Sequence, residues 1–194
     1  MKDKILMIVF VLVLGSILTA ALVAVNFYTT PVIEKNEEIA TKSSILKALN
    51  ISFNQDNVEE IFAENVEEKQ QDGTTYYVAK DSNIAFPYSG PGLWGPIEGI
   101  IAIQPDFERL KGITIIRQEE TPGLGSRIGE APYLAQFEGK RFSDGLKLVQ
   151  PGRSIRDNQI DSITGATMTS NAFIAILNDN LQEVMPAVKQ GESQ

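Results

Sequence analysis

The chain has 194 residues, a formal net charge of −8 and neither cysteine nor histidine. The missing thiols and imidazoles exclude disulfides, thiolate-held iron–sulfur clusters, histidine-ligated haem, the usual zinc sites, and both Ser-His-Asp and Cys-His catalysis. Redox chemistry therefore has to come from a cofactor held by oxygen atoms, backbone and aromatic groups, and an acidic surface argues against nucleic-acid binding.

Ile5 to Val25 is uncharged and almost wholly apolar. At about 1.5 Å per residue it reaches about 30 Å, the thickness of a bilayer core, and it is longer than a signal-peptide h-region. Thr19-Ala20-Ala21 is a weak cleavage signal, and the run reads as a retained single transmembrane helix. Lys2 and Lys4 precede it; Glu34, Lys35, Glu37 and Glu38 follow it. The positive end stays in the cytoplasm. The rest of the chain, with 15 of the 17 basic and 24 of the 25 acidic residues, is then expected outside, in the periplasm or on the cell exterior.

Tyr28-Thr29-Thr30-Pro31 predicts a break, and Val32 to Leu49 a second helix with Ile39, Ile45, Leu46 and Leu49 near one face. Asn50–Asn57 reads as a loop and Val58–Glu68 as a short acidic helix. Thr74–Ala79 is β-prone. A loop rich in Gly and Pro spans Pro87 to Pro96. Gly99–Ile103 and Gly112–Arg117 read as antiparallel partners around a Pro105-Asp106 turn. The Glu119–Ser126 loop ends that pair, a short helix follows near Tyr133–Phe137, and Leu146–Val149 is a further strand. In the final helix, from about Thr169 to Val188, Ile174, Leu177, Leu181, Val184 and Val188 make one apolar stripe, with Thr169, Ser170 and Asn171 as candidate caps. The expected organisation is an anchor over 1–28, a helical juxtamembrane segment over 29–70 and a small α+β domain over 71–194, built from an antiparallel sheet and a C-terminal helix.

Three motifs carry chemistry. In Asp161-Ser162-Ile163-Thr164-Gly165-Ala166-Thr167, a hydroxyl lies at or near a helix N-terminus behind two small residues. Such termini favour phosphate, because unpaired N–H groups and the helix dipole both face the anion. The same residues also serve as an ordinary helix start. In Glu120-Thr121-Pro122-Gly123-Leu124-Gly125, Pro and Gly fix a turn with exposed amides that suit the polar edge of a flat heterocyclic ligand, while Leu124 suits its apolar face. An ordinary strand-ending loop has the same composition. In Gly92-Leu93-Trp94-Gly95-Pro96, Trp94 suits stacking on a ring, worth about 1 kcal/mol beyond area burial, or equally capping one end of the core.

Taken in this order, the three motifs behind a lone membrane helix resemble the FMN-binding (flavinylated) domain family. They are similar to the G subunits of Rnf ferredoxin:NAD oxidoreductase complexes, with which the shortness of the chain agrees, and to the related C subunits of sodium-pumping NADH:quinone reductases. The resemblance implies FMN joined through its phosphate to Thr167, with Thr164, Gly165, Ala166, Glu120, Thr121, Gly123, Leu124 and Trp94 as cofactor-binding candidates; Lys147, in a predicted strand near the motif, is a further candidate for pairing with the phosphate or flavin. It implies that Asp161, whose charge is unsuited to holding phosphate, serves recognition by an FMN transferase. It implies no catalytic residue and no metal ligand in the chain itself. It implies as partners the other membrane subunits of a complex that couples ferredoxin oxidation and NAD reduction to Na+ or H+ translocation. The family often carries His before the Glu-Thr-Pro-Gly-Leu-Gly loop, where this chain has Gln118 and Glu119, to which no role is assigned. The alternatives are a sodium-pumping quinone reductase subunit, a free-standing extracellular flavin shuttle, and a cofactor-free anchored assembly subunit.

Overall fold

In the computed structural model, which describes residues 2–192, the chain divides into two compact units that meet between Ile39 and Ala40. The described residues of the first unit are all helical. Helix α1 runs Lys2–Ala48 without interruption, and its most apolar 18-residue window has a mean hydropathy of 2.9, long and apolar enough to cross a membrane. The expected break at Tyr28–Pro31 does not occur. Pro31 lacks an N–H and so drops one bond of the helical ladder. The hydroxyls of Thr29 and Thr30 both donate to the Asn26 carbonyl, at 3.4 and 2.8 Å, one residue before the Phe27 carbonyl that Pro31 leaves without its helical donor.

The second unit is an antiparallel meander covered on both faces. Its strands are β1 (Val66–Gln71), β2 (Thr74–Ala79), β3 (Ile84–Pro91), β4 (Pro96–Ile103) and β5 (Leu110–Arg117), paired in the order β1-β2-β3-β4-β5. β6 (Lys147–Val149) and β7 (Gln159–Asp161) form a separate parallel pair. The remaining helices are α2 (Val58–Asn65), α3 (Ala131–Leu134) and α4 (Thr167–Glu192).

Ile100 and Ala102 on β4 are buried as completely as Ile97, Ile101 and Ile103, so both faces of that strand are covered. One face meets α4 through a core that includes Phe86, Ile101, Phe137, Phe173 and Leu177. The other meets the end of α1, where Ile45, Leu46, Ala48 and Leu49 are buried. A Cβ on Gly112 of β5 would lie 2.5 Å from the Ala48 carbonyl oxygen, and Thr114 Oγ1 donates to the Ser44 carbonyl. Two faces to cover explain the unbroken apolar run Ile100–Ile103.

Two expectations are corrected here. The acidic helix stops at Asn65 rather than Glu68, because Val66 to Gln71 pair residue by residue with β2. Cross-strand pairing overrides the helix preference of Glu67, Glu68 and Lys69. The loop expected from Pro87 begins as strand: β3 continues to Pro91 and pairs with β4 along its whole length.

Candidate functional site

Helix α4 starts at Thr167, two residues before the expected Thr169. The first helical bond runs from the Ser170 amide to the Ala166 carbonyl at 2.9 Å, so the amides of Thr167, Met168 and Thr169 have no acceptor within the helix. Gly165, at φ +83°, turns the chain into the helix. Ser170 Oγ donates back to Ala166 O and accepts from the Ile163 amide at 3.2 Å, closing the turn beneath it. Thr167 itself is exposed and Ala166 is buried. The sequence motif thus becomes an exposed hydroxyl on a helix N-terminus.

A groove of about 410 Å³ opens beside this hydroxyl, lined by Gly165 to Thr169, by Thr121, Leu124 and Gly125, and by Leu93 and Trp94. All three sequence motifs therefore meet at one place, although Thr121 lies 27 positions after Trp94 and Thr167 lies 43 positions after Leu124. The lining carries no charged side chain. Trp94 is 72% exposed and Met168 67%, with Leu93 and Leu124 also exposed. Clustered exposed apolar side chains mark an interaction site, and the core-capping alternative for Trp94 does not fit its exposure.

Glu120 does not line the groove. It lies behind the lining, only 4% exposed, with its carboxylate fully engaged. Oε1 accepts the amides of Leu93 at 2.7 Å and Trp94 at 3.1 Å; Oε2 accepts the Thr169 hydroxyl at 2.7 Å. Its own amide donates to Gln118 Oε1 at 2.7 Å, and Glu119 pairs with Arg117. Gln118, to which no role was assigned, thus ties down the backbone of Glu120. Thr169, expected as a helix cap, is instead the third donor to this carboxylate. The loop beyond is tied by the Leu124 and Ser126 amides to Thr121 O and by the Gly123 amide to Ser126 Oγ.

The other candidates fall elsewhere. Gly123, at φ +74°, forms the turn but is not part of the lining. Thr164 is exposed in a separate cleft of about 230 Å³ with Arg127, Glu130, Gln136 and Tyr133, whose hydroxyl is pushed up to about 12 by burial. Lys147 is an exposed residue of β6, outside the groove lining. Asp161 ends β7, and its Oδ1 accepts the amides of Arg153 at 3.0 Å and Ser154 at 2.9 Å. Met168 and Leu93 line the groove without having been singled out individually. Leu93 sat inside a recognised motif; Met168 became visible only once α4 was known to start at Thr167.

The groove combines free helix amides with exposed apolar and aromatic side chains. A ligand with one phosphate and a flat aromatic body matches that donor set, and FMN is such a molecule. Residues 92–182 match the family model of the FMN-binding domain. The matched stretch, 91 of the 194 residues, includes every residue that lines the groove.

The chain also has named relatives. It is 38% identical over 96 residues to the C subunit of the Na(+)-translocating NADH-quinone reductase of Neisseria meningitidis, covering 47% of this chain and 37% of that protein. It is 36% identical over 105 residues to the corresponding protein of Pasteurella multocida, covering 50% and 40% respectively. The chain thus spans well under half the length of these relatives. Among solved structures, the C subunit of the Na(+)-translocating NADH-quinone reductase of Parabacteroides distasonis superposes with a TM-score of 0.70 at 25% identity, over 78% of this chain and 92% of that one. Shewanella oneidensis NqrC shares the fold, with a TM-score of 0.68 at 21% identity over 77% of this chain and 93% of that one.

Proposed function

We propose that the chain is the electron-carrying FMN subunit of a membrane ion-translocating oxidoreductase complex, with the flavin joined through its phosphate to Thr167 Oγ1. The observation that carries this reading is the exposed Thr167 hydroxyl on the first residue of α4, beside three amides without helical acceptors. Those amides would hold the phosphate, since no basic side chain lines the groove. Trp94 and Leu124 would flank the ring, with Thr121, Gly165 and Ala166 closing its surroundings. FMN, when bound, supplies the electron transfer, and the protein supplies position and electrostatic environment. Asp161 would be read by the FMN transferase that loads the domain.

The complex in this reading is of the Rnf type, coupling ferredoxin oxidation and NAD reduction to Na+ or H+ translocation; it rests on the motif order behind a single membrane helix. The second reading, a sodium-pumping NADH:quinone reductase, is favoured by the relatives named above. Inverted membranes separate the two: flavin reduction by reduced ferredoxin supports the first, and reduction by NADH that quinone reverses supports the second.

The test of the flavin itself is a denaturing gel. Full-length protein produced with an FMN transferase is expected to fluoresce and to gain the mass of FMN less one water, and Thr167→Ala to lose both. Fluorescence retained in that variant would move the linkage to another hydroxyl; wild-type protein without flavin would leave the assembly-subunit reading.

In this reading the amino terminus lies in the cytoplasm and the FMN domain outside, supported by Lys2 and Lys4 before the membrane helix and Glu34, Glu37 and Glu38 after it. Ser82, exposed at the β2–β3 turn, offers a labelling position in a background without cysteine. A membrane-impermeant thiol reagent is expected to label Ser82→Cys in intact cells, after outer-membrane permeabilisation where one exists. Labelling only after lysis overturns the orientation.

A further inference from the structure

We propose that Glu120 is a positioning residue that fixes the Trp94 turn against the start of α4, so that the buried carboxylate, without touching the ligand, sets where Trp94 stands in the groove. This deepens the FMN reading and rests on it.

The carboxylate joins three segments that are distant in sequence. Its backbone belongs to the loop that carries Thr121 and Leu124, Oε1 holds the Leu93 and Trp94 amides, and Oε2 holds Thr169 in the first turn of α4. All three segments line the groove, yet Glu120 is buried behind them. A carboxylate that accepts backbone N–H groups makes charge-assisted bonds, roughly twice as strong as neutral ones.

The surrounding glycines show how closely the bracket is fitted. A Cβ on Gly92 would lie 2.5 Å from Glu120 Oε1, and a Cβ on Gly125 would lie 2.9 Å from Oε2 and 2.8 Å from Thr169 Oγ1. Both glycines make room for this one carboxylate from opposite sides. The Trp94 turn is also tied by the Gly92 amide to the Gly95 carbonyl at 2.9 Å and by the β3–β4 pairing that flanks it. Trp94, with most of its ring in solvent, is therefore held through its backbone rather than through packing of its side chain.

The experiment uses the full-length protein in detergent in the Thr167→Ala background, so that Trp94, the only tryptophan, is read without flavin. Glu120→Ala is expected to speed amide exchange at Leu93 and Trp94 at least about tenfold and to lower Trp94 fluorescence anisotropy, while core amides such as Ile101 and Phe173 keep their protection. Glu120→Gln keeps one oxygen for the two amides and offers Thr169 an N–H in place of an acceptor, so its effect is expected to be smaller. Gly125→Ala pushes on the same carboxylate and is expected to shift exchange in the direction of Glu120→Ala.

If Glu120→Ala does not fold, Glu120→Gln and Gly125→Ala carry the test alone. In flavin-loaded protein with Thr167 intact, Glu120→Gln is expected to move the flavin emission toward that of Trp94→Phe, a change that loss of stability alone does not produce. Unchanged local exchange and anisotropy in folded Glu120 variants overturn the proposal even if the wild type carries flavin. A wild type without flavin, with the exchange effect present, overturns the FMN reading instead.

Discussion

Two acidic residues, Glu120 and Asp161, occupy comparable positions in two motifs, and both spend an oxygen on backbone amides of a distant segment. Glu120 is buried and holds a turn that belongs to the groove wall. Asp161 is half-buried and holds Arg153 and Ser154, in a surface loop that does not line the groove. That loop is also tied by Gln159 Oε1 to the Ile155 and Arg156 amides, and it presents Ile155 88% exposed between two arginines. The difference teaches that neither acid faces the groove. The groove keeps a charge-free lining in which the helix amides are the positive influence on a phosphate, and the acids organise what surrounds it.

The largest expected effect that sharpens this contrast is at Asp161. Removing Oδ1 leaves two loop amides without their acceptor, which costs about 1–3 kcal/mol and leaves the domain folded. Flavin loading, read by gel fluorescence, is expected to be lost in Asp161→Ala while circular dichroism is unchanged. Asp161→Asn keeps an oxygen for both amides and removes the charge, so it separates the bracket from recognition. We expect loading to be lost there too, with stability within about 1 kcal/mol of wild type. Full loading of Asp161→Asn would make the loop geometry, not the charge, what the transferase reads.

An intermediate effect is expected at Leu124. Its side chain is half-exposed and would stand 3.4 Å from a Cβ at Gly165, so it faces the start of α4 across the groove. Truncating an exposed side chain changes stability by about 0.5 kcal/mol or less. Leu124→Ala is therefore expected to load flavin fully and to change its spectrum, potential or electron-transfer rate. A redox titration and turnover identical to wild type would return this loop to a purely structural role.

Much of this was legible in the sequence for physical reasons. The anchor is a composition signal, the C-terminal helix a periodicity signal, and β2, β5 and the β4–β5 pairing follow from β-branched runs around a Pro-Asp turn. The meeting of three motifs at one groove followed from the family resemblance rather than from spacing. What stayed hidden was non-local. β1 was masked because Glu67, Glu68 and Lys69 favour helix until β2 pairs with them, although Asp72-Gly73 is a two-residue hairpin signal and adopts φ of +50° and +80°. β7 has three residues and exists through its pairing with β6. Glu120 was expected to contact the cofactor because its motif does; only the fold shows that its side chain turns inward.

The smallest expected effect lies at the sheet edge, away from both acids. Lys69 on edge strand β1 donates to Glu192 Oε1 at 2.8 Å, and the Tyr76 hydroxyl donates to the same oxygen at 3.2 Å, tying β1 and β2 to the last turn of α4. The hydrogen bond to Glu192 raises Lys69 above the ordinary lysine value against the opposing effect of burial, while burial first and then Glu192 raise Tyr76. A lysine raised on folding contributes its stability below the ordinary value of 10.5 and loses it as pH climbs past the folded value. The pair is partly solvated, so Lys69→Met is expected to cost under about 1 kcal/mol near pH 7, which for a chain of this size is a melting-temperature drop of at most about 4 °C. The gap between wild type and variant should hold from neutral pH up to about pH 10 and narrow above about pH 10.5. Flavin loading should be untouched, because nothing in this pair reaches the groove. A loss of loading in Lys69→Met would show that the edge and the groove are coupled, and would undo the separation drawn between them.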